Sequence, residues 1–309
     1  MGAVLRRPAH ARAPGPHRDL AAGARVSDVR LIASPSYSPE LREAVAASVR
    51  AAAEAARGWY GRGDKLAADA ASVAAMRAVL AEAPFAGVVV IGEGEKDDAP
   101  MLANGERLGR AHSPSCDVAV DPLDGTRLTA EGIPGSVCVI ALAPRGTMLD
   151  PRDVFYMDKL VCSGAGAGVV GLDLPPAENA RRLADALGKP VSELVVAVLD
   201  KPRHAGLIAA LREAGVALSL RGEGDVSVAI EAADPSGSVD LVLGIGGTPE
   251  GVVAACAVRA LGGVMEGRLA PQTDLERSNA LAAGHDLTRL LTLDDLISSP
   301  DVLFAGCEV

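Results

Sequence analysis

The sequence contains very few aromatic residues: one tryptophan, three tyrosines and three phenylalanines among 309 residues. It therefore offers little material for stacking nucleobases on aromatic side chains. A formal net charge of −10 at pH 7 also argues against a basic stripe for nucleic acid or an anionic membrane, so we predict neither partner. The hydrophobic content of 49% nevertheless predicts a substantial core, built from alanine, valine and leucine.

Cysteine and histidine are also sparse. The five cysteines form no C-x-x-C pair and are odd in number, which favours reduced thiols in a cytoplasmic protein over a structural zinc site or a disulfide framework. After the first 18 residues only His112, His204 and His285 remain, and the serines lack a G-x-S-x-G setting. A zinc hydrolase and a Ser-His-Asp enzyme are therefore poorly supported, and we expect His204 to lie on a helix surface.

No apolar run is long enough to span a membrane, so we predict no membrane segment. The first 18 residues carry arginine and histidine without acidic residues, as a targeting segment does. Three prolines interrupt any amphipathic helix there, and no apolar run follows. We therefore predict that residues 1–38 form a disordered tail.

The rest of the chain alternates between patterns typical of helices and of strands, and no period of 20–50 residues recurs. Helices are predicted over 39–60, 67–82, 99–108, 177–187, 203–214 and 249–261, with another beginning at Asp225. Strands are predicted over 87–91, 118–120, 136–143, 194–199, 216–220 and 239–243. The glycine-rich stretch SGAGAG at 163–168 is the best candidate for a boundary between two lobes.

Four acidic segments lie near the ends of apolar runs, and three of them follow predicted strands. They are GRGDKLAAD at 61–69, VVVIGEGEKDDAP at 88–100, VAVDPLDGT at 118–126 and LVLGIGGTPEGV at 241–252. A single acidic residue after a strand is more often a turn former or a helix cap, and this explanation remains open for Glu95 and Asp98. The repetition of the pattern favours a carboxylate-lined metal site.

The segment DPLDGT indicates what such a metal site would do. Pro122 keeps Asp121 from continuing the preceding strand in regular geometry, so both aspartates are expected at the carboxyl end of a strand, where α/β sheets bind ligands. Mg²⁺ and Mn²⁺ prefer oxygen ligands, and a pair of such ions suits phosphoryl transfer. The glycines and Pro249 of GIGGTPEGV fit either an anion site at a helix N-terminus or a plain helix start.

DPLDGT resembles the metal-binding signature of the lithium-sensitive sugar-phosphatase superfamily. Together with GRGDKLAADAASVAAMR, VVIGEGEKDDAPML, KPRHAGLI, the GDV after Glu223, and LGIGGTPEGVVAACAVRALGG, it resembles bacterial class II fructose-1,6-bisphosphatases from Trp59 to Arg268. Past Arg268 the sequence departs from the family, so we expect some of the family's C-terminal packing to be missing. The resemblance implies an α/β (α+β) fold, a layered helix-sheet-helix-sheet-helix sandwich. We assign a metal-binding lobe to 39–165 and a sugar-phosphate-binding lobe, which completes the metal site, to 166–309.

The resemblance also implies a role for individual residues. The divalent-metal ligands, for Mn²⁺ or Mg²⁺, would be Asp69, Glu93, Asp121, Asp124 and Glu250. The catalytic groups would be Thr126, which orients the attacking water, and Lys65 and Asp97 beside the reacting phosphate. The sugar and phosphate contacts would be Asp124, Gly125, Thr126, Tyr156, Lys201, Pro202, Arg203, Glu223, Gly224, Asp225 and Gly247. For Tyr156 a half-buried core ring remains the alternative interpretation.

The implied reaction is metal-dependent hydrolysis of the 1-phosphate of fructose 1,6-bisphosphate to fructose 6-phosphate and phosphate, a step of gluconeogenesis, in a homo-oligomer (a dimer or a tetramer). Two alternatives keep the fold and change the substrate to sedoheptulose 1,7-bisphosphate or an inositol phosphate. A third is a non-catalytic sugar-phosphate-binding paralogue. The intact acidic residues and Thr126 argue against it, because a binding module has no use for a hydroxyl that orients water.

Overall fold

The computed structural model describes residues 29–92, 102–151 and 154–309, whose strands form two mixed sheets of six. In spatial order the first sheet contains β1 (Arg30–Ala33), β12 (Leu303–Glu308), β5 (Val137–Pro144), β4 (Ser115–Asp124), β2 (Ala86–Ile91) and β3 (Arg107–Leu108). The second contains β11 (Leu291–Thr292), β10 (Val264–Leu269), β6 (Tyr156–Cys162), β9 (Leu241–Gly247), β7 (Val195–Leu199) and β8 (Ala217–Arg221).

The helices cover both sheets and fill the space between them. They are α1 (Pro39–Arg57), α2 (Lys65–Ala81), α3 (Thr126–Glu131), α4 (Pro176–Leu187), α5 (Ala205–Ala214), α6 (Asp225–Ala233), α7 (Thr248–Leu261), α8 (Asp274–Ala282) and α9 (Leu293–Leu296). α1 and α2 pack on the outer face of the first sheet, α6 and α7 lie between the sheets, and α4 and α5 cover the second sheet. The predicted helix-sheet-helix-sheet-helix sandwich is confirmed.

The central strands of the first sheet are apolar on both faces because both faces are covered. Along β4, Val118 and Val120 pack against α1 and α2, while Ala119 between them faces α6 and α7. This is the two-residue alternation of a strand, applied to two cores instead of one core and solvent. It explains why the sequence shows a continuous apolar run there rather than an alternating one.

α1 illustrates how an alanine-rich sequence forms a helix with one buried face. Ser38 caps its N-terminus by accepting a hydrogen bond from the Leu41 N–H, and Pro39 occupies the first turn. Leu41, Val45 and Val49 recur at four-residue spacing and are fully buried. Burying each of these side chains contributes on the order of 1.5–3 kcal/mol, so this one stripe anchors the outer helical layer.

Three expectations from the sequence need correction or refinement. Residues 30–33 of the predicted tail form the edge strand β1, which pairs with β12; residues 1–28 lie outside the described part. In the predicted helix 99–108, the described residues 102–108 form turns and the strand β3, since Gly105 has a positive φ of 89° that a helix does not adopt. The sheets also do not divide at residue 165: β6 lies in the second sheet, and β12 returns to the first.

Within the described ranges, no helix has the length and apolar character needed to cross a membrane.

The second sheet contains the feature that determines where a ligand can bind. β7, β8 and β9 run parallel to one another, so their carboxyl ends lie at one edge of the sheet. In α/β folds this edge is where ligands bind, since the loops that follow the strands converge there. The residues that follow these three strands are those of the KPRH, EGD and GTPE segments.

Near the start of β4 lies a buried carboxylate that contributes to the stability of the fold. Asp117 is fully buried, forms an ion pair with Arg145, and accepts backbone hydrogen bonds from residues 146, 147 and 148 at 2.7, 2.8 and 3.1 Å. Asp117→Ala leaves these donors without an acceptor, so we expect the free energy of unfolding to fall by about 3 kcal/mol. Chemical denaturation measures this loss.

The control for Asp117 is Glu82→Ala, because Glu82 is 74% exposed and pairs with Arg110 on the surface. We expect this substitution to change the unfolding free energy by less than about 0.5 kcal/mol. If both variants lose stability equally, Asp117 does not hold the β4 end of the sheet as described.

Candidate active site

Residues from both sheets meet in one cavity of about 310 Å³. The first sheet contributes the end of β4 and the residues after it, and α2 adds one carboxylate. The second sheet contributes the loops after β7, β8 and β9. The lining residues are Asp69, Asp121, Leu123, Asp124, Gly125, Thr126, Leu199, Lys201, Arg203, Glu223, Gly224, Asp225, Gly246, Gly247 and Glu250.

A bulge in β4 brings two aspartates to the same face of the sheet. Residues three apart on a regular strand point to opposite faces. Here Asp121 pairs with Val139 and Asp124 with Val137, so three steps on β4 match two steps on β5. The extra residue in β4 brings both carboxylates to the same face of the sheet, as a β-bulge does. The proline in DPLDGT therefore marks a change of register as well as the end of the regular ladder.

Two glycines in left-handed conformation turn the chain from these acidic residues into helices. Gly125 has φ +87° directly before α3, and Gly224 has φ +87° directly before α6. Residues with a Cβ rarely adopt such φ values. The N-termini of α3, α6 and α7 thus all begin at the cavity, where their first-turn N–H groups favour an anion.

Direct contacts join the two sheets at this point. The Val226 N–H in the first turn of α6 donates a hydrogen bond to Asp124 Oδ2 at 3.3 Å. Arg127, which follows Thr126, donates from Nε to Glu223 Oε1 at 3.0 Å. The DGT and EGD turns, a hundred residues apart in the chain, are therefore held against each other.

Glu250 occupies space that only a glycine leaves open. A Cβ placed on Gly247 would lie 1.6 Å from Glu250 Oε2, which is far inside van der Waals contact. This same Oε2 is buried and has no hydrogen-bond partner. A buried carboxylate oxygen without a donor is costly, and a bound cation is one way to satisfy it.

The carboxylates of the cavity are crowded enough to resist ionisation. Burial, then the charges of Asp225 and Glu250, raise the pKa of Asp124 well above its ordinary value, while the Val226 N–H and Lys159 act in the opposite direction. Burial and the charge of Asp225 likewise raise the pKa of Glu250. Like charges in a low-dielectric site disfavour the ionised forms unless a cation joins them.

The donor chemistry fits hard divalent cations, since every candidate ligand is a carboxylate. Asp69, Asp121, Asp124 and Glu250 all line the cavity, as predicted. Within residues 29–92, 102–151 and 154–309, no three acidic, histidine or cysteine groups are grouped closely enough to hold an ion as they stand. The predicted ligand Glu93 lies outside the described residues. The unsatisfied Glu250 Oε2 and the raised pKa values support the fit.

Two cationic side chains, Lys201 and Arg203, also line the cavity. Arg203 donates from Nε and Nη2 to the Ile245 carbonyl at 3.0 and 2.8 Å, and its guanidinium lies 5.1 Å from the centre of the Tyr156 ring. These contacts hold the planar guanidinium at the cavity wall beside Lys201. Such a fixed arginine is suited to a phosphate group.

Most of the predicted site residues are brought together, and the exceptions can be named. Lys65 is exposed at the first position of α2 and does not line the cavity, nor does Pro202, which begins a short 3₁₀ turn. Tyr156 does not line the cavity either, but its ring lies beneath the Arg203 guanidinium and its backbone pairs with Gly247, and both of these residues do. Asp97, like Glu93, lies outside the described residues.

Two functional neighbours were not predicted from the sequence. His204, expected on a helix surface, is instead only 2% exposed: its Nδ1 pairs with the Leu199 carbonyl at 2.6 Å, and its Nε2 accepts from the Ile245 N–H at 2.8 Å. This neutral imidazole joins the ends of β7 and β9. Lys159 is also buried, and it contacts Asp225. A basic residue inside the apolar β6 pattern was the available signal.

Comparison with known proteins gives a consistent result. The sequence profile of a family described as bacterial fructose-1,6-bisphosphatase, glpX-encoded, matches residues 40–309. An Escherichia coli protein named fructose-1,6-bisphosphatase 1 class 2 is 42% identical over 264 residues, which cover 81% of this chain and 78% of that protein. A Shigella flexneri protein named fructose-1,6-bisphosphatase class 2 is similar to the same extent. The profile continues past Arg268, where the motifs end.

The raised pKa of Asp124 predicts how the metal-free protein responds to pH. The unfolded chain ionises this group near its ordinary value of 3.8, and the folded protein does so only at higher pH. Between these two values the folded state binds more protons, so stability is highest below the unfolded value and is lost as pH rises through the folded one. Asp124→Asn removes this loss. We expect its metal-free melting temperature to exceed that of the wild type at pH 8, with a smaller gap at pH 5.

Thermal melts from pH 5 to 8 in chelator measure this gap, and each kcal/mol corresponds to about 2–4 °C for a chain of this size. Added Mg²⁺ or Mn²⁺ should reverse the order, because the ionised carboxylate then gains a cation. Asp173→Asn, at an exposed carboxylate 73% open to solvent, is the control and should show no pH-dependent gap. Parallel curves for Asp124→Asn and the wild type would contradict the assignment of a crowded carboxylate.

Proposed function

Because this chain belongs to the bacterial, glpX-encoded fructose-1,6-bisphosphatase family, we propose that its cavity hydrolyses the 1-phosphate of fructose 1,6-bisphosphate to give fructose 6-phosphate and phosphate. The observation that supports this proposal is that several carboxylates and the cationic side chains Lys201 and Arg203 line a single cavity. A cation-binding cluster alone, or an anion site alone, would not require both.

In this proposal the carboxylates of Asp69, Asp121, Asp124 and Glu250 hold divalent cations, Mn²⁺ or Mg²⁺, and Glu93 completes the ligand set. When bound, these ions offset the charge that develops on the phosphoryl oxygens. The ligands come from elements that pack on both sheets, so the cavity forms only where the two sheets meet. The same arrangement supports our assignment of one metal-binding and one sugar-phosphate-binding part of the chain.

The remaining groups orient the reactants. Thr126, at the first position of α3, directs its hydroxyl toward the attacking water, and Lys65 and Asp97 act beside the reacting phosphate. Asp225 accepts a sugar hydroxyl, while the Lys201–Arg203 turn and Tyr156 hold the distal phosphate. The N–H groups at the starts of α3, α6 and α7 add fixed positive potential for the phosphate oxygens.

We further propose that the protein acts as a homo-oligomer in the cytoplasm. All five cysteines are buried and unpaired, in agreement with the reduced thiols expected there.

A substrate panel tests the function. Phosphate release is measured with fructose 1,6-bisphosphate, sedoheptulose 1,7-bisphosphate and inositol 1-phosphate, each with Mg²⁺ and with Mn²⁺. We expect the highest kcat/KM with fructose 1,6-bisphosphate and no turnover in chelator. Higher kcat/KM with either other substrate would reassign the specificity. Binding of substrate with no phosphate release under any condition would favour the non-catalytic paralogue.

Thr126→Ala serves as the mechanistic variant in the same panel. A hydroxyl that orients water matters mainly in the transition state, so kcat should fall by about 100-fold or more while KM stays within a few-fold.

Asp121→Asn should also abolish most activity with the fold retained, because it removes a negative charge from the carboxylates that bind the cations. A fully active Asp121→Asn protein would contradict the metal-site assignment.

Arg203 should behave differently, because it contacts the phosphate that does not react. Losing a charge-assisted hydrogen bond costs about 1.5–3 kcal/mol, so Arg203→Ala should lower kcat/KM by about 10- to 150-fold, mostly through KM. Steady-state kinetics separate the two parameters. Arg212→Ala, on an exposed position of α5, is the matched control and should leave both unchanged.

Fructose 1-phosphate, which lacks the distal phosphate, provides the internal check. Arg203→Ala should scarcely alter its turnover. If the variant impairs both substrates equally, Arg203 belongs to the reacting end, and the substrate lies across the cavity in the reverse orientation.

A further inference from the structure

Lys159 is a buried cation beneath the candidate active site. It lies in the middle of β6, opposite Gly244 of β9 on one side and Gly267 of β10 on the other. Its side chain is 6% exposed, and Nζ donates to Asp225 Oδ2 at 2.5 Å and to the Gly247 carbonyl at 2.9 Å. A fully desolvated lysine is rare unless it is paired, so this position needs an explanation.

The space for Lys159 is built by glycines of the GIGGTPEGV segment. A Cβ on Gly246 would lie 2.8 Å from Lys159 Nζ and 3.0 Å from Cε. A Cβ on Gly251 would lie 3.3 Å from Cδ. The lysine stem thus runs through a channel whose walls have no side chains at these two positions. This gives the two glycines a role separate from freeing N–H groups for an anion.

Lys159 also contributes the buried positive charge next to the carboxylate cluster. Its partner Asp225 lines the same cavity as Asp124 and Glu250, and its other partner, the Gly247 carbonyl, belongs to a residue that also lines this cavity. Its two hydrogen bonds fix the first residue of α6 and the residue before α7. The same ammonium group therefore holds both helix starts that carry Asp225 and Glu250.

We propose that Lys159 is a positioning residue with two effects, which rest on the proposed function of the cavity. It fixes the Asp225 carboxylate by engaging Oδ2, so that Asp225 presents Oδ1 to a sugar hydroxyl. It also acts as a counter-charge. Its positive charge lowers the affinity of the carboxylates for divalent cations, and it offsets the repulsion between these carboxylates when no cation is bound.

These two effects predict changes of opposite sign when the charge is removed. Without Lys159 the site loses one positive charge, and as long as its carboxylates are ionised an added cation is attracted more strongly. At the same time Asp225 loses its anchor, and the sugar is bound less well. A merely structural role would weaken both, because a disordered site binds neither cation nor substrate.

The first experiment compares the wild type with Lys159→Met, which keeps the length and removes the charge. Mn²⁺ affinity is measured by titration calorimetry on metal-free protein without substrate, and we expect about tenfold tighter binding. KM for fructose 1,6-bisphosphate should rise about tenfold at saturating Mn²⁺, with a smaller change in kcat. Weaker or unchanged Mn²⁺ affinity in the folded variant overturns the counter-charge, and an unchanged KM overturns the positioning.

The second experiment restores the charge balance. Asp225→Asn alone should weaken Mn²⁺ binding, and the double variant Lys159→Met/Asp225→Asn should return its affinity to within about twofold of the wild type, since the two changes in charge cancel. KM should stay high in the double variant because the sugar contact is still lost. If Lys159→Met fails to fold, the double variant removes both partners of the pair and still tests the proposal: Mn²⁺ binding far from the wild-type value overturns it.

Lys189→Met is the matched control, because Lys189 forms an ion pair with Asp240 at 2.6 Å, and neither residue lines the cavity. It should leave Mn²⁺ affinity and KM unchanged. The calorimetric result does not depend on turnover. A protein that releases no phosphate from any sugar yet shows the predicted Mn²⁺ shifts would therefore contradict the proposed function while supporting the counter-charge.

Discussion

The constraint on which the rest of the structure depends is the crowding of carboxylates in one buried cavity. Asp124, Asp225 and Glu250 come from three different elements, and burial together with the charge of Asp225 raises the pKa of both Asp124 and Glu250. The apolar surface that the two sheets bury on both sides of α6 and α7 offsets this unfavourable free energy. The resulting repulsion creates an affinity for cations that no single carboxylate would have.

Backbone geometry allows the crowding to occur. The β4 bulge turns Asp121 and Asp124 to one side, and Gly125 redirects the chain into α3 at once. Gly247 leaves room for Glu250, and Gly246 leaves room for Lys159. These residues contribute almost no contact surface of their own. They matter because a residue with a Cβ would fill this space or could not adopt these φ angles.

The cavity combines both signs of charge. Its carboxylates lie on β4, α2, α6 and α7 and on the loop after β8, while Lys201 and Arg203 lie on the loop after β7. In the proposed reaction, cations held by the carboxylates would bind one phosphate of the sugar bisphosphate, and Lys201 and Arg203 would bind the other. His204 fixes the loop that carries Arg203, since both of its ring nitrogens are engaged with backbone groups of β7 and β9.

Local sequence patterns predicted most of the strands and helices and the four acidic segments, whereas the layered fold and the remaining cavity residues were predicted from the resemblance to class II fructose-1,6-bisphosphatases. The apolar runs predicted the central strands, the prolines and glycines predicted the helix starts, and DPLDGT with GIGGTPEGV marked both halves of the site. The pattern over 99–108 predicted a helix, but Gly105 adopts a positive φ that ends any helix there, and β1 was not predicted because an edge strand needs a partner, β12, that lies about 270 residues away. The sequence by itself determined which carboxylates follow strands and which turns contain glycine or proline, since residue type and local turn geometry are short-range properties. Only the tertiary structure decided that Lys159 and His204 are buried among them, because burial depends on which glycines and carbonyls other strands bring to the same place.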